Sequence, residues 1–211
     1  AERATAVCAC WVVRRARELE VLPRLAPRLP LPITAAQWRG VMPNGWPFGG
    51  YRLLRGEVAA TAGLEDNEKL ALAPVWGAFL RALHGTDAAA LGVLPIDPLG
   101  KVDVARRWDV TLANLVSTGA STEAVLRTLD RARAIWGLAS ERPQVLVHGD
   151  LDGRHLIVAR DEGSVRAAGV IDWGDVMIGD PAIDLGLAYG FLEGAAREAF
   201  FDAYGEIDAG T

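Results

Sequence analysis

Two aspartates stand out by where they fall. Asp150 closes the run Val145-Leu146-Val147-His148-Gly149-Asp150, and Asp172 follows Ala167–Ile171 and opens Asp172-Trp173-Gly174. Each carboxylate comes at the end of a short apolar segment that reads as a strand, so the two would lie near each other if the strands pair. Phosphoryl transfer needs such a pair. One carboxylate accepts or orients the proton of a hydroxyl, and the other holds the metal that bridges nucleotide phosphates. Little covalent chemistry is asked of the protein there, and positioning and charge do most of the catalysis.

Downstream lie Gly179-Asp180-Pro181-Ala182 and Asp184-Leu185. With these, residues 145–185 resemble the aminoglycoside and macrolide phosphotransferase family, which is similar in fold to eukaryotic protein kinases. The resemblance implies that Asp150 is the catalytic base and that Asp172 is a metal ligand. Five positions past the base the family usually has Asn as a second ligand, whereas this chain has His155. Mg²⁺ prefers hard oxygen donors and imidazole is softer, so two readings of His155 stand. It ligates the metal itself, or it holds the loop by a hydrogen bond while Asp172 and water carry the metal. His148 is expected to fix the loop through its ring nitrogens. Asp180 is expected as a helix cap and Asp184 as a loop tether. Asp175 is open between metal or substrate assistance and turn capping. Arg154 is open between a phosphate contact and a solvated surface position.

The same resemblance extends to the amino-terminal half. Glu18, in Arg17–Pro23, matches the helix position that presents a carboxylate to the nucleotide-binding cation, with Glu20 the alternative. Arg14, at the end of Trp11-Val12-Val13-Arg14, stands in the cation's place. The backbone of Leu53, Leu54 and Arg55 matches the inter-lobe link that hydrogen-bonds a purine. The implied donor is ATP or GTP, the implied cofactor Mg²⁺ with Mn²⁺ as the variant, and the implied acceptor a hydroxyl of a small antibiotic-like molecule. No glycine precedes Gly40, where relatives carry a glycine-rich phosphate loop. The expected fold is therefore α+β, a kinase-like two-lobe chain with an incomplete amino-terminal lobe. Residues 1–56 would form that partial lobe and the linker. Residues 57–211 would form a mainly helical catalytic lobe carrying a β-hairpin. A second reading stays open: a non-catalytic or fragmentary homologue that binds nucleotide or ligand without turnover.

The elements that must position these groups are legible in part. Residues 12–26 read as a helix ended by Pro23 and Pro27, and 65–84 as a helix that Pro74 kinks or starts. Gln37–Met42 and Tyr51–Leu54 read as strands, with Asn44-Gly45 and Gly49-Gly50 as turns. Residues 103–117 and 121–139 read as amphipathic helices, and 87–102 as a loop. Gln144–Val147, Leu156–Ala159 and Ala167–Ile171 read as strands, the last two a hairpin across Asp161-Glu162-Gly163. Helices are expected over 181–191, capped by Asp180 with Pro181 at its first position, and over 194–204.

Composition narrows the partners. The 211 residues are 51% hydrophobic and 23% charged, ordinary for a globular protein. Residues 148–211 hold 4 Lys+Arg and 13 Asp+Glu, a net of −9, which leaves +4 for residues 1–147 out of the chain total of −5. So acidic a carboxyl-terminal region argues against nucleic acid and suits a cationic acceptor or a divalent metal. No 18-residue uncharged apolar run suggests a membrane span. Cys8 and Cys10 suit neither a disulfide framework nor a zinc site, and read as apolar fillers in a cytoplasmic protein.

Overall fold

A computed structural model describes residues 16–206 apart from 44, 46, 137–142 and 162. The expectations placed on Arg14, on the strand around Trp11–Arg14 and on Cys8 and Cys10 lie outside the described residues.

Helix α1 is described over Ala16–Leu25, and Pro23 lies inside it rather than ending it. Leu19, Leu22 and Val21, with Leu25, turn inward at helical spacing. A hairpin follows, with β1 (Trp38–Val41) antiparallel to β2 (Pro47–Gly50). The second strand thus lies before the expected Tyr51–Leu54, and Gly49-Gly50 belongs to it rather than to a turn. A Cβ on Gly49 would come within 2.4 Å of Leu19 Cδ2, so the glycine lets α1 lie directly on the strand. Residues 51–55 run on without strand pairing to β3 (Glu57–Val58).

Strand β3 pairs antiparallel with β5 (Leu156–Asp161), which pairs antiparallel with β6 (Ser164–Val170). The β5–β6 hairpin is the expected one, with a register shift between Ile157 and Val158. The strand β4 (Val145–Val147) does not join this hairpin. It pairs with β7 (Met177–Gly179), a strand the sequence pattern did not mark, in the register Val147↔Met177. This corrects the idea that the two aspartate-bearing strands pair with each other. The residues 171–176 link β6 to β7, and β7 lies beside β4, so the loop after β4 and the loop before β7 are neighbours.

Helix α2, Asp66–His84, runs unbroken through Pro74 and buries Leu72, Ala73, Trp76, Phe79, Leu80 and Leu83. It packs along α6 (Gly194–Tyr204), so closely that a Cβ on Gly77 would meet the Phe200 carbonyl at 2.2 Å. Helix α5, Ala182–Phe191, starts one residue later than expected: Pro181 is its N-cap residue, while Asp180 Oδ1 accepts from the Ala182 N–H at 2.8 Å. Between α2 and β4 stand α3 (Val104–Ser117) and α4 (Glu123–Trp136), which pack on each other. The core runs as one cluster from α1 through α2 and the hairpin to Trp173, α5 and α6. Each fully buried Leu or Phe in it is worth about 1.5–3 kcal/mol. Mixed helices and small antiparallel sheets make the fold α+β. Among the described residues no helix is long and apolar enough to cross a membrane.

Candidate active site

The loop after β4 is held from behind by a buried carboxylate. Asp184, fully buried in the first turn of α5, accepts from the backbone N–H of His148 at 2.7 Å and of Gly149 at 2.9 Å. Its other neighbour is His84, whose Nε2 lies 3.3 Å from Asp184 Oδ2 and whose Nδ1 lies 2.8 Å from the Tyr204 hydroxyl. Burial works to raise the Asp184 carboxyl. The His84 hydrogen bond and charge, with the Gly149 N–H, outweigh it and hold it below the usual carboxylate range.

His148 is wholly buried, and burial pushes its imidazole below the ordinary value against the pull of Asp184. Its hydrogen bonds fix one neutral form. Nε2 faces the Ile171 carbonyl at 3.0 Å and must donate, while Nδ1 accepts from the Asp150 N–H at 3.3 Å. The ring therefore ties the Asp150 backbone to the end of β6. Gly149 takes φ +90°, and a Cβ there would lie 2.3 Å from the Asp175 carbonyl, so only glycine lets the two loops touch.

On the other loop, Trp173 is buried against Phe79 and His148, and its Nε1 donates to the Val170 carbonyl at 3.2 Å. Asp172 beside it takes φ +63°, a left-handed conformation that Asp adopts more readily than most residues other than glycine. Its side chain is 68% exposed.

His155 joins the two aspartates. Its Nδ1 lies 2.6 Å from the Asp150 carbonyl and its Nε2 lies 3.6 Å from Asp172 Oδ2. A carbonyl only accepts, so Nδ1 carries a proton, and Nε2 is the nitrogen turned toward the Asp172 carboxylate. The hydrogen bond expected of His155 as the holder of the loop is present. One imidazole nitrogen and one carboxylate, with the imidazole oriented from behind by a carbonyl, suit a divalent cation whose remaining ligands are phosphate oxygens and water. Among the described residues no cluster of three or more acidic, histidine or cysteine side chains could enclose a metal alone.

Glu18 reaches the same place from α1. A Cβ on Gly174 would lie 3.6 Å from Glu18 Oε1 and 3.7 Å from Asp172 Oδ1, so the glycine sits between the two carboxylates. Glu20 is exposed. Leu54 packs toward β6, where a Cβ on Gly169 would meet its Cδ1 at 2.5 Å, whereas Leu53 and Arg55 are exposed on the unpaired linker. Arg154 is paired with Asp152, Nε to Oδ2 at 2.9 Å, not projected alone.

The sequence pattern missed two residues here. Tyr51, half-buried at the start of the linker, has its phenol pushed up first by burial and then by the charges of Asp172 and Glu18. Lys101, in the loop before α3, donates to the Gly149 carbonyl at 2.7 Å and to Asp175 Oδ2 at 2.6 Å. Neither has a spacing signal, because each reaches the site across a long stretch of chain.

Comparison with known proteins gives the chain a family. The model of the phosphotransferase enzyme family matches residues 10–211. A 48-residue stretch is 48% identical to viomycin phosphotransferase of Streptomyces vinaceus, covering 21% of this chain and 17% of that protein. The GDP and kanamycin complex of APH(2")-IIIa superposes with a TM-score of 0.70 at 23% identity, over 91% of this chain and 66% of that one. A macrolide 2'-phosphotransferase from Brachybacterium faecium gives 0.60 at 25% identity, over 90% and 63%. The chain thus spans 66% or less of the length of these relatives.

Proposed function

The chain belongs to the phosphotransferase enzyme family, and from that premise we propose that it moves the γ-phosphate of ATP or GTP to a hydroxyl of a small molecule of the aminoglycoside or macrolide type. One observation carries the reading. The His155 ring lies between the Asp150 backbone and the Asp172 carboxylate, so the proposed base and the proposed metal-binding group flank one side chain.

In this reading Asp150, with its carboxylate 55% exposed, orients the acceptor hydroxyl and takes its proton. The hydroxyl oxygen bonds to the γ-phosphorus, the bond from that phosphorus to the β–γ bridging oxygen breaks, and ADP or GDP leaves. Asp172 and His155 would hold Mg²⁺ or Mn²⁺, which when bound neutralises charge on the phosphate oxygens. Glu18, beside Gly174, supplies the carboxylate on the nucleotide side, and the cation expected from the family resemblance is Arg14, which lies outside the described residues. The backbone of Leu53, Leu54 and Arg55 faces the purine. Residues 1–56 then serve as the nucleotide-side lobe and linker, and 57–211 as the catalytic lobe. Kanamycin in one structural neighbour and a macrolide-specific name in another support an antibiotic acceptor, and the acidic carboxyl-terminal region favours a cationic one in the cytoplasm.

The test is release of ADP or GDP across a panel of aminoglycosides and macrolides. Asp150→Asn should lower kcat by roughly 10²–10⁴-fold while the protein still folds. Unchanged turnover in that variant removes Asp150 as the base. Nucleotide binding without turnover on any acceptor would favour the non-catalytic reading instead.

A further inference from the structure

Lys101 belongs to none of the motifs, yet its ammonium sits where the two motif loops meet. Its backbone is pinned first: the Lys101 N–H donates to Asp97 Oδ2 at 2.8 Å and Oδ1 at 3.0 Å. The side chain is only 15% exposed. Nζ donates to the Gly149 carbonyl at 2.7 Å and to Asp175 Oδ2 at 2.6 Å, and it lies 3.8 Å from Asp150 Oδ1. The last distance is too long for a hydrogen bond, so the Asp150 oxygens remain open to a hydroxyl.

We propose that Lys101 is a positioning residue for phosphoryl transfer: its ammonium clamps the His148-Gly149-Asp150 loop to the segment that follows Asp172-Trp173-Gly174. The inference rests on the phosphotransferase reading and deepens it. Three negative or partly negative groups converge on this ammonium, namely the Gly149 carbonyl and the carboxylates of Asp175 and Asp150. Without a cation between them they repel and push the two loops apart. With it, two short charge-assisted bonds fix the distance between the base-bearing loop and the metal-side loop. His155 makes a second tie to the loop, through the Asp150 carbonyl at 2.6 Å. The catalytic aspartate is thus bracketed by a tie one residue before it and another at its own carbonyl.

The step that Lys101 serves is geometric, so its loss should appear in kcat. A displacement of about 1 Å can cost on the order of 10²-fold in rate. The experiment is steady-state kinetics by nucleoside diphosphate release for wild type, Lys101→Met, Lys101→Arg, Asp175→Asn and the Lys101→Met/Asp175→Asn double variant. Lys101→Met should lower kcat roughly 10- to 100-fold with little change in acceptor KM. Lys101→Arg should recover part of the loss, because a guanidinium also donates to both acceptors. The double variant should be no slower than Lys101→Met alone, since one clamp can be lost only once. Wild-type kcat in Lys101→Met overturns the inference. So does a rise in KM alone, which would make Lys101 an acceptor contact. Should the wild type turn over no acceptor, the phosphotransferase reading itself fails, and the clamp is read by amide exchange. Lys101→Met should then speed exchange in both 148–152 and 172–177, and unchanged protection in either segment overturns the clamp.

Discussion

The two loops that carry the motifs are built on opposite principles. The His148-Gly149-Asp150 loop is held by polar groups. Asp184 takes two of its N–H groups, His148 ties it to the Ile171 carbonyl, and Lys101 and His155 take the carbonyls of Gly149 and Asp150. The Asp172-Trp173-Gly174 loop is centred on one large buried ring, Trp173, whose Nε1 donates to the Val170 carbonyl, with Asp172 at φ +63° beside it and Asp175 held by Lys101. In the proposed reading the first loop carries the base, which must meet a hydroxyl at one angle and so needs its backbone fixed in every direction. The second carries a proposed metal ligand, which needs only to be aimed, and a buried ring beside it does that while leaving the carboxylate exposed.

Removing the buried tether is the severest way to break the contrast. Asp184→Ala orphans the N–H groups of His148 and Gly149 and strips His84 Nε2 of its partner, leaving only the Tyr204 contact at Nδ1, all in a buried place. The expected loss is about 3–5 kcal/mol of stability, measured by denaturant unfolding. A loss under about 1 kcal/mol, typical of surface sites, would mean that the loop holds itself. Gly149→Ala should come next. Its Cβ meets the Asp175 carbonyl at a position of φ +90°, so the loops must part at a cost of at least about 1–3 kcal/mol. A fall in kcat should accompany it even where the variant remains folded.

The polar loop should also be the acid-sensitive one. Burial holds the His148 imidazole below its ordinary value. The unfolded chain therefore binds the proton more readily. Stability should be full above about pH 6.5 and fall as pH drops from there toward the lower folded value. Asp184, held low in the fold, loses its contribution in the same direction but only at more acid pH. Thermal unfolding at stepped pH checks this, and His148→Gln should flatten the slope between about pH 5 and 6.5. An unchanged slope would place the sensitivity elsewhere.

How much of this could be read from the chain follows the same division. The long helix over 66–84, the β5–β6 hairpin and α6 declared themselves by apolar period and turn residues. The tethering role of Asp184 and the loop-fixing role of His148 followed from the family resemblance of the motif stretch. Strands β3 and β7 did not show, because two or three residues carry no alternation and exist as strands only through β5 and β4. Gly49-Gly50 misled for a physical reason: a glycine needed for close approach looks the same in sequence as one needed for a turn. Lys101 was silent because its partners lie 48 and 74 residues away, and no local pattern records a contact of that range.

The smallest expected effect on stability discriminates best between the two ways of holding a loop. Asp172 and Gly149 both have positive φ, one in each loop. Asp172→Gly relieves the left-handed strain of a side chain, about 1–2 kcal/mol, but adds the chain entropy of glycine, about 0.5–1 kcal/mol, so the two nearly cancel. Unfolding free energy should therefore move by less than about 1 kcal/mol. Asp172→Val, branched at Cβ, should instead destabilise by at least about 1–2 kcal/mol, because a second branch crowds the left-handed backbone further. Turnover should vanish in both, since neither retains a carboxylate beside His155 Nε2. If Asp172→Gly instead destabilised as strongly as Gly149→Ala, the carboxylate would itself be holding its loop, and the metal-side loop would be tethered by polar groups just as the base-bearing loop is.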